Sequence, residues 1–213
     1  MSSREEYKYL VDVDVYRAAK VHIGGERLRP QFRKFVTTRM MRKDPFGKRI
    51  RTRIIDLKQT DYRIRLLSDR IARVGPENVA AFCSKQACFN PIMHFSRLTG
   101  AKAYPGRFVP GMLTNPQHTM YIEPELVIVT DPLVDKQAIL EAASMGIPIA
   151  GILTTDNPVV YIDFIVPANN RLRDSLALVY RLITREVLLK TGVIASREDM
   201  PVKREEFTKR PKR

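Results

Sequence analysis

The chain has 213 residues, 44% hydrophobic and 28% charged, and its 37 Lys and Arg against 23 Asp and Glu give a net charge of +14 and a pI near 10.0. That length buries one core of its own, and the composition is that of a globular chain rather than a disordered one. No apolar run reaches the roughly 18 residues of a membrane span, Cys83 and Cys88 lack the companions of a zinc site or a disulfide framework, and the strong positive balance favours polyanionic partners.

The N-terminus opens with Ser2, Ser3, Arg4, Glu5 and Glu6 rather than a basic then apolar leader, so a soluble, cytoplasmic chain with reduced thiols is expected. Val11 to Val15 alternates with Asp12 and Asp14, which by period alone argues a strand; a short helix capped by Asp12 competes with it. Residues 27–53 then hold eleven basic side chains, a net +10 against the single acid Asp44. A merely solvated face interleaves acids to limit self-repulsion. This stretch does not, which predicts phosphate contact. Pro30, Pro45 and the want of a helical apolar face argue against a membrane-binding stretch.

Beyond the basic stretch, strands and helices alternate as in a parallel sheet with crossover helices. Arg53 to Leu57 reads as a short strand, and Thr60 as the N-cap of a helix with Ile64, Leu67, Ile71 and Val74 inward and Gly75-Pro76 as its stop. Val79 to Cys83 is the next strand. A helix over about Phe89 to Leu98 ends at Gly100, with Pro91 in its first turn. Leu126 to Thr130 is apolar on consecutive residues, as befits a central strand covered on both faces. A helix near Asp135 to Met145 closes at Gly146, Ile147 to Leu153 and Tyr161 to Val166 supply two more strands, and a long helix from about Arg171 to Lys190 is capped by Gly192. From Val193 onward the composition predicts a tail that orders only on a partner.

A doubly wound sheet places ligands at the carboxyl ends of its strands. The strand ends here are Lys58 to Asp61, Ser84 to Ala87, Asp131 to Val134 and Thr154 to Asn157, and none carries G-x-G-x-x-G or a Walker pattern. Asp131 and Asp156 stand where a catalytic acid would stand, but Asp just after a strand is also an ordinary helix cap. His22, His94 and His118 have no metal-ligand spacing, and neither Ser84 nor Ser175 lies in a nucleophile elbow. Pro105 to Pro116, with three prolines and two glycines around Arg107 and Phe108, reads as a rigid loop whose role the residues alone leave open.

Several of these stretches together resemble a known family. Ala18 to Gly24 (AAKVHIG), Arg53 to Arg63 (RIIDLKQTDYR), Pro105 to Pro116 (PGRFVPGMLTNP) and Glu123 to Pro132 (EPELVIVTDP) are similar, in order, to motifs of the universal S-two family of small-subunit ribosomal proteins in its archaeal and eukaryotic form, and Gly146 to Pro148, Tyr161 to Asp163, Pro167 to Asn170 and Ser175 to Val187 continue the likeness. It covers roughly residues 9–192. The resemblance implies a flavodoxin-like three-layer α/β sandwich with a mainly parallel sheet, a basic N-terminal extension and a flexible C-terminal tail, and it decides Val11 to Ala19 toward a short helix. The long helical hairpin of bacterial relatives is absent. Residues 39–52 depart from the family by being longer and more basic.

The resemblance also implies a non-catalytic constituent of the small ribosomal subunit that binds small-subunit rRNA and neighbouring ribosomal proteins, with no cofactor, no metal, no membrane and no homo-oligomer in its working state. Three divisions are expected: residues 1–53 with the rRNA-contact segment, an α/β core over 54–192, and a basic tail over 193–213. The RNA contacts are expected from Arg33, Lys34, Arg39, Arg42, Lys43, Lys48, Arg49, Arg51 and Arg53, with Arg107, Arg171 and Arg173 as outlying candidates. These would neutralise phosphates rather than read bases, since no aromatic motif of the RRM kind is present. Two other readings stand beside this one: an enzyme or nucleotide sensor using Asp131 and Thr154 to Asn157, and a cell-surface adhesion role.

Overall fold

The computed structural model describes residues 7–43 and 49–208, with residues 42, 43, 49 and 50 described by backbone alone. Near its start the helix reading prevails over the strand: α1 spans Val13–Ala18. Helical spacing puts Tyr16 and Ala19 on one face, both fully buried, which an alternating strand could not do. After a 3-10 turn at Pro30–Phe35, β1 (Val36–Lys43) and β2 (Arg49–Ile55) pair antiparallel as a two-stranded ribbon apart from the main sheet. The strand expected at Arg53 to Leu57 is thus the second arm of a hairpin and takes no part in the parallel series.

Helix α2 spans Leu57–Val74. Its N-cap is Asp56, whose carboxylate accepts the Lys58 amide at 3.0 Å, and not Thr60. Thr60 lies one turn inside the helix, where its hydroxyl donates to the Pro167 carbonyl at 2.7 Å and is buried. Asp outranks Thr as a cap, and only Asp56 keeps the extended backbone that a cap requires.

The main sheet consists of β3 (Val79–Cys83), β4 (Lys102–Pro105), β5 (Leu126–Val129), β6 (Ile149–Leu153) and β7 (Phe164–Pro167). Every ladder is parallel, and the order is β4-β3-β5-β6-β7. Numbered within the sheet, that order is 2-1-3-4-5, the flavodoxin-like arrangement, whose switch point lies between β3 and β5. Strand β4 has no counterpart among the sequence expectations. It is an edge strand of four residues with half-exposed side chains, so it lacks the apolar run that marks the central strands. Strand β7 begins three residues later than expected, because Tyr161 takes a left-handed turn conformation at φ 63°.

The crossovers are α3 (Gln86–Thr99), α4 (Lys136–Ser144) and α5 (Arg173–Lys190). Helix α3 starts three residues before the expected point and holds Pro91 internally. One face of the sheet, with Val79, Ala81, Ile128 and Ile152, packs beneath α2, α3 and α5. The other face, with Ala80, Phe82, Val127 and Val129, meets Ala138, Ile139 and Ala142 of α4 together with Phe108, Met112 and Leu113. The proline-rich loop therefore serves as a cover for the second face beside α4. Cys83 and Cys88 are buried free thiols on the first face.

Helix α5 is buried on nearly every side, including Thr184, Arg185 and Glu186, because a further helix closes over it. This is α6 (Arg204–Thr208), and it corrects the expectation of a free tail. Phe207 is fully buried, its ring lies 4.9 Å from that of His94, and the Glu206 carbonyl accepts the Asn90 amide. Phe207, with Met200 and Val202 packed against the same core cluster, anchors the stretch. Residues 209–213 of the predicted tail lie outside the described residues.

Candidate nucleic-acid interface

The base of the ribbon is held from three directions. Residues 22–25 lie along the free edge of β2: Ile23 bridges Ile54, the Gly24 amide donates to the Arg53 carbonyl at 2.8 Å, and the Ile55 amide donates to the His22 carbonyl at 2.8 Å. A Cβ at Gly24 would stand 2.7 Å from a methyl of Thr155, so this approach of chain to chain requires glycine. Gly25 donates its amide to the Thr155 hydroxyl at 2.9 Å, and Arg29 donates its own to the Thr155 carbonyl at 3.0 Å. The end of β6 thereby fixes the start of the basic segment. Burial and the nearby Arg17 charge hold the His22 imidazole below its ordinary pKa, so it adds no cation near neutral pH.

The 3-10 turn explains which basic groups face outward. Phe32 and Phe35 bury against Leu153 and Ile165, their rings 5.3 Å apart edge to face, and the turn leaves Arg33 and Lys34 exposed. Lys34 rests its ammonium 5.1 Å from the Phe35 ring, and Arg63 of α2 places its guanidinium 5.4 Å from the same ring. In the ribbon, Arg39 lies directly opposite Arg53 and Met41 opposite Arg51, so three arginines share one face. The opposite face carries Met40 paired with Thr52 and Thr38 paired with Ile54.

A cleft of about 840 Å³ opens between the turn and the ribbon, lined by Arg33, Arg39 and Arg53 with Leu28 and Val36. A second, adjoining cleft is lined by Arg27, Arg29 and Arg53 together with one acid, Glu26. Arg27 and Arg29 belong to the charge run but not to the twelve candidates, and the signal that would have added them is their place in that run. Among the described residues no carboxylate pairs with Arg33, Arg39, Arg51 or Arg53. The Nε of Arg53 is buried without a partner. Like charges directly opposite on paired strands repel, and a two-stranded ribbon with no layer behind it is marginal in water. An anion in the cleft relieves the first of these costs.

The other candidates fall into three groups. Arg42, Lys43 and Arg49 lie on the ribbon, with Lys43 paired to Arg49, and are described by backbone alone; Lys48 lies outside the described residues. Arg171 forms an ion pair with Asp156, beside Gly25, so it adjoins the basic segment but is already engaged. Arg173 is the half-buried first residue of α5. Arg107 stands apart, in the loop after β4 at the opposite edge of the sheet from β7.

The carboxyl ends of the strands are filled by the protein's own polar groups. Asp131 accepts the Leu133 amide at 3.0 Å and the Asn157 side chain at 2.9 Å, and it pairs with Lys85. Asn170 donates to the carbonyls of Thr130 and Ile152, each at 3.1 Å, and to Asn157 at 2.9 Å. Asp131 thus works as a turn former tied into a buried network. Asp156 instead pairs with Arg171 at the protein surface.

The proline-rich loop is pinned by Glu141 of α4, which is buried and accepts the amide of Gly111 at 2.8 Å, that of Leu113 at 3.4 Å and the side chain of Gln137 at 2.9 Å. Burial alone would raise the Glu141 pKa, but these donors, with the Thr114 hydroxyl, outweigh it and hold the carboxyl below its ordinary value. A depressed carboxyl stabilises the fold above its unfolded pKa and loses that contribution as pH falls through the folded value. The protection of the Gly111 and Leu113 amides against hydrogen exchange, relative to their intrinsic rates, should therefore fall on acidification below the ordinary glutamate range. Glu141→Gln should remove that pH dependence and cost roughly 1–3 kcal/mol at neutral pH.

Comparison with known proteins gives one family. The profile of the family described as Ribosomal protein S2 matches residues 117–189. The chain is 39% identical over 210 residues to the small ribosomal subunit protein uS2 of Pyrobaculum calidifontis, covering 99% of this chain and 98% of that protein. It is 40% identical over 210 residues to the protein of the same name from Pyrobaculum aerophilum, with 97% of each chain covered. With that of Nanoarchaeum equitans it shares 39% identity over 198 residues, which is 93% of this chain and 94% of the relative.

Proposed function

The chain belongs to the ribosomal protein S2 family, in its archaeal type, and we propose that it works as a non-catalytic constituent of the small ribosomal subunit in the cytoplasm, bound to small-subunit rRNA and to neighbouring ribosomal proteins. The observation that carries the RNA contact is the unneutralised arginine face of the ribbon, Arg39, Arg51 and Arg53, of which Arg39 and Arg53 open with Arg33 onto one cleft. Phosphate oxygens are the ligands that such a face accepts, bidentate where the guanidinium plane allows. Lys34, Arg42, Lys43, Lys48 and Arg49 extend this surface, and Arg27 and Arg29 continue it along the second cleft. Arg171 and Arg173 flank its base, while Arg107 belongs to another surface. In this reading residues 1–53 carry the RNA contact, 54–192 supply the rigid support and the described part of the tail, 193–208, closes over α5.

The absence of catalysis is supported by the strand ends. The crevice in which this fold seats a nucleotide is occupied by Asp131, Asn157 and Asn170, with Asn157 hydrogen-bonded to both of the others. The test is gradient sedimentation of a cell lysate at a series of salt concentrations, following this chain and small-subunit rRNA together. Co-migration that is lost only at high salt is the expected result. A chain that stays free at every salt concentration would favour the enzyme or nucleotide-sensor reading.

A further inference from the structure

The second face of the sheet ends in a groove that the RNA reading leaves unused. It lies outside the carboxyl ends of β3 and β5, at the switch point of the sheet, between the proline-rich loop and the start of α4. Its volume is about 430 Å³. Phe108, Pro110, Val134 and Leu140 make its walls, and Ser84 closes the floor by donating its hydroxyl to Asp135. Val134 and Leu140 are 52% and 42% exposed, and the neighbouring Val109 and Leu133 are also exposed, so an apolar patch surrounds the opening. A cluster of this kind on a soluble chain marks a contact surface.

Charge narrows the occupant. Arg107 and Lys136 line the groove as exposed cations. The carboxylates of the elements that build it are buried: Asp131 and Glu141 are hydrogen-bonded within the protein, and Asp135 accepts from Ser84 through one oxygen while the other has no partner. Four exposed aliphatic side chains offer nothing to a phosphate backbone. A second copy of the chain related by a two-fold axis would set Arg107 and Lys136 against themselves. We propose that this groove docks an extended segment of another protein, one that seats an apolar side chain between Phe108, Val134 and Leu140 and sets carboxylates against Arg107 and Lys136. This adds to the proposed function a protein-docking surface at the β3–β5 switch point, apart from the β6 end on which the arginine ribbon rests, and it rests on that reading only for where the partner is to be sought.

The test uses the full chain and a pool of short synthetic peptides, each carrying one Leu or Phe between pairs of Asp or Glu, followed through the amide resonances of Val134, Gln137 and Leu140. Saturable shifts at these amides are expected. They should need at least about tenfold more peptide in the Arg107→Glu/Lys136→Glu double variant and in Leu140→Asp, and the same peptide in Arg51→Glu as in the wild type. Equal binding by a pool with Lys in place of the acids, no saturation by the acidic pool, or preferential perturbation of these amides by a small-subunit rRNA fragment would each overturn the proposal. The titration is made on the isolated chain, so its failure is distinguishable from a failure to co-sediment with ribosomal subunits.

Discussion

Replacing Asp61 by Ala is expected to lower the unfolding free energy by about 3–5 kcal/mol, the largest loss from any single polar side chain in this protein. Asp61 is fully buried in α2 and accepts four hydrogen bonds: from the Leu10 amide at 2.7 Å, and from the Tyr16 hydroxyl, the Tyr7 hydroxyl and the Arg65 guanidinium at 2.9 Å each. Truncation strands the Leu10 amide and the Tyr16 hydroxyl in the interior and leaves Arg65 without its counter-charge. The N-terminal residues through α1 would lose their anchor together. Chemical denaturation measures the total, and the Tyr7 phenol gives a local readout. Its pKa is pushed up to about 12 by burial and by the neighbouring carboxylate of Asp61. In the variant it should fall toward the ordinary tyrosine value, and a Tyr7 that still titrated near its present value would show that Asp61 does not govern this site.

The second large effect is on RNA affinity. Reversing Arg39, Arg51 and Arg53 to Glu together removes three candidate phosphate contacts and adds three repulsions. A filter-binding titration against small-subunit rRNA should show the slope of log affinity against log salt flattening by about 2–3, at roughly 0.7–0.9 per phosphate lost. Binding near physiological salt should weaken by two or more orders of magnitude. The parallel-sheet core should persist, because the ribbon stands apart from the main sheet and, of the three, only Arg53 reaches its base. A reversed triple that binds with unchanged slope would move the RNA surface elsewhere on the molecule.

The sequence displayed the main architecture because its central strands are apolar on consecutive residues. Leu126–Val129 and Val79–Cys83 could be little else than strands covered on both faces, and Gly75, Gly100 and Gly146 stop helices where expected. What stayed hidden has no local signature. Strand β4 is polar at its edge position, and α6 depends on Phe207 meeting His94 more than a hundred residues away in sequence. The cap of α2 was misplaced because Thr60 and Asp61 look like a cap and its first turn, while their real partners, Pro167, Leu10 and Tyr16, lie far along the chain. The basic segment was legible as charge. Its geometry was not, because only the pairing register sets Arg39 against Arg53 and only the end of β6 holds the cleft open.

The setting of α5 bears on when the protein can fold. Both ends of the described chain meet on this helix: Arg185 donates to the Leu10 carbonyl at 2.9 Å, and Phe207 belongs to the same core cluster. Residues 173–207 are synthesised after every strand of the sheet, yet they cover the face on which Ile64, Leu67, Ile92 and Phe95 also converge. A growing polypeptide therefore holds that face uncovered until α5 and α6 have been made, so this core closes only after every strand of the sheet has been synthesised.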